Sequence, residues 1–192
     1  EPAFFDYHNK ENYRFEHLVC RKNDKLFTWL PGHRNEDVFF SPAGASYGGP
    51  LWCKNASLSD QIGSIEALKS HLFKKGIREI HLRLPPAYYF GDNGFVLSSS
   101  GFSLKQRWAC HALQLVGNEW PESLKKKKRY DYQRSIKEGT VGQELQADSL
   151  EAFHHLLTKQ MKKRETRPTH DLAELCRLNE LLPGRIRLFG AL

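Results

Sequence analysis

Ser57-Leu-Ser-Asp-Gln-Ile-Gly-Ser-Ile-Glu-Ala-Leu-Lys-Ser-His-Leu-Phe-Lys-Lys-Gly76 runs directly into Ile77-Arg-Glu-Ile-His-Leu-Arg-Leu84. In the first stretch, Ile62, Ile65, Leu68, Leu72 and Phe73 recur at helical spacing. Ser57 or Ser59 is placed to cap the N-terminus, and Lys74-Lys75-Gly76 closes the other end. From Ile80 to Leu84 the pattern changes to strict alternation, and Pro85-Pro86 stops it. Helix followed by strand is an αβ unit, and the rest of the chain repeats that alternation.

Upstream, His17–Lys22 and Lys25–Leu30 are β-rich runs around Asn23-Asp24, which predicts a hairpin. Val38–Phe40 and Leu51–Lys54 read as further short strands, and aromatic-rich Ala3–Tyr13 reads as a short helix. Between these strands lies Ser41-Pro-Ala-Gly-Ala-Ser46-Tyr47-Gly48-Gly49-Pro50, the strongly glycine-rich loop of the chain. Its glycines permit close backbone approach to a ligand, and its amides offer an anion-binding nest; a plain turn with Tyr47 in the core is the alternative. Downstream, Gly91–Gly94 reads as a turn, Ser98–Phe102 as a small-residue loop, and Arg107–Val116 as a strand covered on both faces. Thr140–Leu145 reads as another strand. Asp148 and Glu151 have capping-box spacing ahead of a helix bearing Leu150, Phe153, Leu156, Leu157 and Met161. Thr169 or Asp171 starts a last helix with Leu172, Leu175, Leu178 and Leu182 inward, stopped by Pro183-Gly184. Arg185–Leu192 reads as a final strand. Strands first, then alternating helix and strand, predict an α/β fold: a mixed sheet with helices on both faces.

The 192 residues suffice for one domain with its own core, and 40% hydrophobic content indicates a globular chain. Net charge is +7. From Pro121 onward there are fifteen Lys and Arg against ten Asp and Glu, so most of the surplus belongs to the second part. It concentrates in Glu122-Ser-Leu-Lys-Lys-Lys-Lys128-Arg129-Tyr-Asp-Tyr-Gln-Arg134-Ser-Ile-Lys137-Glu-Gly139, with seven cations between Glu122 and Lys137. Pro121 suits a first helical turn and Gly139 a left-handed end, so the stretch reads as one helix of about five turns. So much like charge on one helix suits polyanion binding; a peripheral solvated helix over a narrow stripe of Leu124, Tyr132 and Ile136 is the alternative. Cys20, Cys53, Cys110 and Cys176 have no metal-site spacing, so neither a disulfide framework nor a metal centre is expected, and a reducing, cytoplasmic setting fits. No apolar run reaches the eighteen residues of a membrane span, and no signal peptide opens the chain. An opening without methionine and a close on a strand lead us to expect a piece of a longer protein.

Three stretches in succession carry a family resemblance. They are Ser41-Pro-x-Gly-x-Ser-Tyr47-Gly-Gly-Pro, Lys128-Arg129 through Arg134-Ser-x-Lys137-x-Gly139, and Arg167-Pro-x-His170-x-x-x-Glu174-Leu-x-x-Leu178 with a distal Pro183. Their order and spacing resemble the FemAB-like branch of the GNAT superfamily of acyltransferases. The resemblance implies a single GNAT-like domain over residues 1–192, the first of two related halves, with the second beyond Leu192. It implies transfer of an acyl or aminoacyl group to an amine of a cell-wall (peptidoglycan) or polysaccharide precursor. The donor it implies is acyl-CoA or aminoacyl-tRNA, used as a substrate with no covalently bound cofactor. The acceptor would be a phosphate-bearing nucleotide-sugar or lipid-linked precursor, with tRNA as a further partner. Carried over position by position, the substrate-binding candidates are Ser46, Tyr47, Gly48, Gly49, Lys128, Arg129, Arg134 and Lys137. Tyr132, Gln133 and Ser135 depart from the family's basic pattern.

Direct attack by an amine requires amides facing the developing oxyanion and benefits from a general base. His170 and Glu174, one helical turn apart, are the catalytic candidates, against an ordinary helix start at Thr169-His170-Asp171. The glycine loop by which GNAT enzymes hold acetyl-CoA is absent, and Gly139-Thr-Val-Gly142 is its nearest approach. Two rival readings are a non-enzymatic nucleic-acid-binding module, with Tyr130 and Tyr132 as stacking platforms among the cations, and an inactive scaffold half.

Overall fold

The computed structural model describes residues 3–8, 13–42, 44–91, 93–110, 112 and 120–191. They fall in two compact units, His8–Trp108 and a second formed by Glu1–Tyr7 with Ala109–Leu192.

In the His8–Trp108 unit the hairpin forms as expected. Strands β1 (Leu18–Lys22) and β2 (Lys25–Leu30) pair antiparallel, with Lys22 opposite Lys25. Asn23 and Asp24 both take positive φ, the conformation a two-residue turn between right-twisted strands requires. Strand β5 (Leu51–Trp52) joins β2 on its other side. A second three-stranded sheet holds β3 (His33–Asn35), which the sequence did not reveal, with β4 (Val38–Ser41) and β6 (Glu79–Leu82). In it β3 and β4 are antiparallel, while β4 and β6 are parallel.

Helix α2 (Leu58–Lys74) covers these strands. Ser57 is its cap, its hydroxyl accepting from the Asp60 N–H at 3.2 Å, and Gly76 ends it at φ +84°. Leu68 and Leu72 pack with Leu18, Leu30, Phe39 and Ile77 in the core. Phe73 departs from expectation and is 77% exposed. It lies about 100° around the helix from Leu72, beyond the buried stripe. Two short helices form ahead of the expected loop 98–102, α3 (Ala87–Phe90) and α4 (Gly94–Ser99); α4 runs into that loop's first two residues and seats Val96 and Leu97 against Ile65. The predicted strand 107–116 has no strand pairing at residues 107–110, and residues 111 and 113–116 lie outside the described residues.

His33 on β3 accepts the Arg14 N–H at Nδ1, 3.0 Å away, which fixes the neutral tautomer with its proton on Nε2. Burial among neighbours that include the Tyr13 and Phe40 rings holds its pKa below the usual 6.5. The unfolded chain therefore binds a proton that the folded chain refuses, so stability is full above pH ~6.5 and falls as pH drops through the interval beneath it. We expect the thermal midpoint to fall between pH 7.5 and 5.5 in the parent, with His33→Gln flattening that part of the profile. Superimposable profiles would show that His33 contributes nothing.

In the other unit, α1 (Ala3–Asp6) packs Phe4 and Tyr7 on Leu178 and Leu182 of and beside α7 (Leu172–Leu181). Residues 9–12 of the expected N-terminal helix lie outside the described residues. The basic stretch is not one five-turn helix. Trp120–Ser123 makes a 3-10 turn, Lys125 is extended at ψ 146°, and helix α5 runs from Lys126 to Lys137. The restart puts Lys126, Lys127 and Lys128 in the first turn of α5, the positive end of its dipole, where cations are disfavoured. Asp148 is not a cap. It lies in a 3-10 turn, Ala147–Ser149, and α6 (Leu150–Lys162) starts from Ser149 without a side-chain capping bond. Of the apolar face predicted for α6 only Leu150 is buried, while Leu156 is exposed. Strand β7 (Gly142–Leu145) pairs antiparallel with β8 (Leu188–Ala191), tied at one edge by the Arg187 guanidinium on the Glu144 carboxylate.

Candidate functional site

The glycine-rich loop is clamped by its own surroundings. Buried Ser41 accepts the Gly49 N–H on its hydroxyl at 2.8 Å. Gly48 N–H donates to the Arg83 carbonyl at 2.8 Å, and Arg83 N–H donates to the Ser41 carbonyl at 2.8 Å. Fully buried His8 donates from Nε2 to the Gly44 carbonyl at 2.8 Å. The Gly48 and Gly49 amides are thus consumed inside the protein, so the expected anion nest does not form from them. What the loop presents is its tip, Ser46 and Tyr47, both exposed; Tyr47 is 46% exposed rather than a core residue.

Beside this loop, β6 turns Ile80 and Leu82 toward the core and leaves Glu79, His81 and Arg83 on the exposed side. Glu79 accepts from His81 Nε2 at 2.8 Å, and that bond, helped by the charges of His81 and Lys105, holds the Glu79 carboxyl below its usual range. The Arg83 guanidinium lies over the Trp108 ring, 5.4 Å from its centroid. Reading the sequence missed this pair. The alternation of Ile80–Leu84 already placed Arg83 away from the core, but nothing local connects it to a tryptophan 25 positions on.

On α5 the cations divide by role. Arg129 Nη2 donates to the Leu124 carbonyl at 3.1 Å and to the Glu122 carbonyl, bracing the break ahead of the helix. Arg134 Nε donates to Glu138 at 2.7 Å, and Lys128 lies 4.0 Å from Asp131. Lys126, Lys127 and Lys137 are exposed. The two tyrosines separate: Tyr132 packs on Trp120 at 5.1 Å between ring centroids, whereas Tyr130 is 64% exposed on the same face as Lys126, Lys127, Arg134 and Lys137.

His170 and Glu174 come together, Nδ1 to Oε2 at 3.5 Å, in a setting that serves the helix. Asp171 is the N-cap of α7, and with Glu174 it closes a capping box: Glu174 N–H to Asp171 at 2.8 Å and Asp171 N–H to Glu174 at 3.2 Å. His170 Nε2 lies 3.3 Å from the hydroxyl of buried Tyr7, their rings 5.3 Å apart, and His154 Nε2 donates to the His170 carbonyl at 3.3 Å. A carboxylate already holding a backbone amide and an imidazole packed on a buried tyrosine fasten α1 to the start of α7. That arrangement explains both residues without a proton-transfer role.

Gly139 takes φ +84° and leads into β7, not into a phosphate-facing helix. No group of three His, Cys, Asp or Glu side chains able to hold a metal occurs among the described residues. No helix among them is long and apolar enough to cross a membrane.

The sequence matches no protein-family profile and no curated protein. Among solved structures, the crystal structure of FemX is similar at a TM-score of 0.52 and 14% identity, covering 92% of this chain and 48% of that one. The chain therefore spans about half the length of FemX, and within that span its mixed α/β fold is FemX-like.

Proposed function

We propose that this chain is the first half of a FemAB-type acyltransferase that acts on an amine of a cell-wall or polysaccharide precursor. The observation that carries the reading is the FemX-like fold over nearly the whole chain, together with the ordered motifs at Ser41–Pro50, Lys128–Gly139 and Arg167–Leu178. The acceptor amine attacks the carbonyl carbon of the donor. A carbon–nitrogen bond forms, the bond to CoA sulfur or to the tRNA ribose oxygen breaks, and the leaving group takes up the proton that the amine gives up. Holding amine and carbonyl together supplies most of the acceleration. Ser46 and Tyr47 are the substrate-binding candidates of the first unit in this reading, and Lys128, Arg134 and Lys137, on α5, are the cationic candidates of the second.

The test uses the full-length protein. Thiol release from acyl-CoA is followed with a panel of amino-sugar nucleotides, alongside binding of aminoacyl-tRNA, in the parent, Tyr47→Ala and Arg134→Ala. Acceptor-dependent release that drops at least tenfold in Tyr47→Ala supports a CoA-dependent transferase. Saturable tRNA binding without release makes aminoacyl-tRNA the donor. Absence of both sinks the transferase reading and leaves an inactive scaffold half. Exposed Tyr130 among cations favours one rival, a non-enzymatic nucleic-acid binder. That rival requires tight single-strand binding without transfer, with a salt slope that shrinks when Lys126 and Lys127 are neutralised.

A further inference from the structure

Strand β6 lies at an edge of its sheet, with β4 on its inner side. The Glu79 N–H donates to the Asp37 carbonyl at 3.3 Å and the Arg83 N–H to the Ser41 carbonyl at 2.8 Å, so these odd-numbered residues turn their backbone toward β4. In a parallel ladder the residues between them turn theirs the other way. Ile80 and Leu82 therefore direct N–H and carbonyl groups out of the sheet, where no backbone partner stands among the described residues. Side chains alternate too: Ile80 and Leu82 pack against the core that holds Leu68 and Leu72 of α2, while Glu79, His81 and Arg83 are exposed on the opposite face. Next to Ile80, Lys69 and Phe73 of α2 line a cavity of about 300 Å³ with Ile77 and Arg78, and Phe73 is 77% exposed in its wall. An outward row of donors and acceptors next to such a cavity is a template for one more strand.

We infer that β6 pairs antiparallel with β6 of a second copy of this chain, about a twofold axis through His81. The strand's own charges select that occupant. Laid antiparallel on itself about His81, Glu79-Ile-His-Leu-Arg83 sets Glu79 opposite Arg83 and Ile80 opposite Leu82 on both sides of the axis. Ile80 and Leu82 then form the hydrogen-bonded pairs through their outward groups, and Glu79 and Arg83 fall in the pairs between, where side chains come closest. Both ions have capacity for the new contact: His81 holds Oε2 of Glu79 at 2.8 Å and leaves Oε1, and Arg83, over the Trp108 ring, has no carboxylate partner among the described residues. On the other face, Leu82 of the second copy lands beside Ile80, toward the cavity edged by Phe73. Charges on an edge strand ordinarily keep other strands off. Here their signs discriminate between pairings of two copies: parallel in-register stacking would set Glu79 on Glu79 and Arg83 on Arg83, whereas the antiparallel pair brings opposite charges together. That pair also closes, since each copy's open edge is covered by the other's.

One strand edge is a small contact, so the dimer should be weak, with a dissociation constant of ~10–100 µM. Sedimentation equilibrium of the full-length protein from ~1 to ~500 µM measures it. Glu79→Arg and Arg83→Glu each bring like charges together on both sides of the axis, and each should weaken association ~10-fold or more. An equimolar mixture of the two variants should associate as the parent does, because each presents the charges that the other requires, and so should the double variant Glu79→Arg/Arg83→Glu. Both side chains are exposed, so unchanged thermal midpoints would separate these effects from misfolding. Hydrogen exchange gives a second readout: the Ile80 and Leu82 amides should exchange freely at ~1 µM and slow as concentration rises. Protein that stays monomeric to ~500 µM, a dimer indifferent to both single variants, or variants that fail to recover on mixing overturns the inference. Protection of the Ile80 and Leu82 amides at every concentration also overturns it, since a strand of the same chain then covers the edge. The inference does not rest on the transferase reading: acyl transfer by a protein that remains monomeric overturns the dimer alone, and a charge-dependent dimer without transfer leaves the dimer standing.

Discussion

Truncating Phe39 to alanine is expected to remove ~3–5 kcal/mol from the stability of the His8–Trp108 unit. Phe39 is fully buried on β4, the middle strand of its sheet, and packs in the cluster of Leu18, Leu30, Leu68, Leu72 and Ile77. Its ring tip rests on the backbone of Gly32, where a side-chain methyl would overlap the ring. Gly32→Ala alone should therefore also destabilise, by ~1–3 kcal/mol from overpacking. The two changes should not add: with the ring gone, the methyl introduced by Gly32→Ala enters the vacated space, and the double variant should be more stable than the sum by ~1 kcal/mol or more. Urea denaturation at matched m-values measures all four corners of the cycle. A loss under ~1 kcal/mol for Phe39→Ala, or strict additivity, would mean that the core is not organised around this ring.

Gly44→Ala should destabilise the same unit by ~2–4 kcal/mol and loosen the glycine-rich loop. Gly44 sits at φ +64°, which disfavours any L side chain, and a methyl there would overlap the buried His8 imidazole. Moving His8 breaks its bond to the Gly44 carbonyl, which is one of the clamps on the loop. In the parent, the Gly48 and Gly49 amides, bonded to Arg83 and Ser41, should exchange slowly with deuterated solvent, and in Gly44→Ala at least tenfold faster. His8→Ala in the Gly44→Ala background opens room for the methyl and should recover part of the stability, although the loop stays loose. Unchanged protection in Gly44→Ala would show that His8 has no hold on the loop, and Tyr47 would then lose its preorganised base.

Several features were legible because short-range physics decides them. Asn23-Asp24 between two β-rich runs gives a hairpin since both residues tolerate positive φ. Ser57, one of two serines in place to cap α2, does so, and Asp171, one of two possible starts of α7, is its cap, because those bonds span three residues. Helical periodicity located the buried face of α2 and overreached at Phe73, where the stripe had already turned away. The serines at 98 and 99 hide the end of α4, a helix held by packing Val96 and Leu97 on Ile65.

Local sequence suffices for the α/β class, the hairpin, most helices and the positions of the loop and the basic stretch. Spacing and propensity act within a turn or two of chain, and that reach is enough for these elements. Which polar groups remain available is a matter of long-range contacts alone. The Gly48 and Gly49 amides are taken by Arg83 and Ser41, the Arg129 guanidinium by the carbonyls ahead of α5, and His170 is seated on Tyr7, 163 positions away. Arg83, by contrast, is laid over Trp108, 25 positions on. A donor buried by the fold must find a partner wherever the fold supplies one, so the groups left over for a ligand are known only after the long-range contacts have claimed theirs.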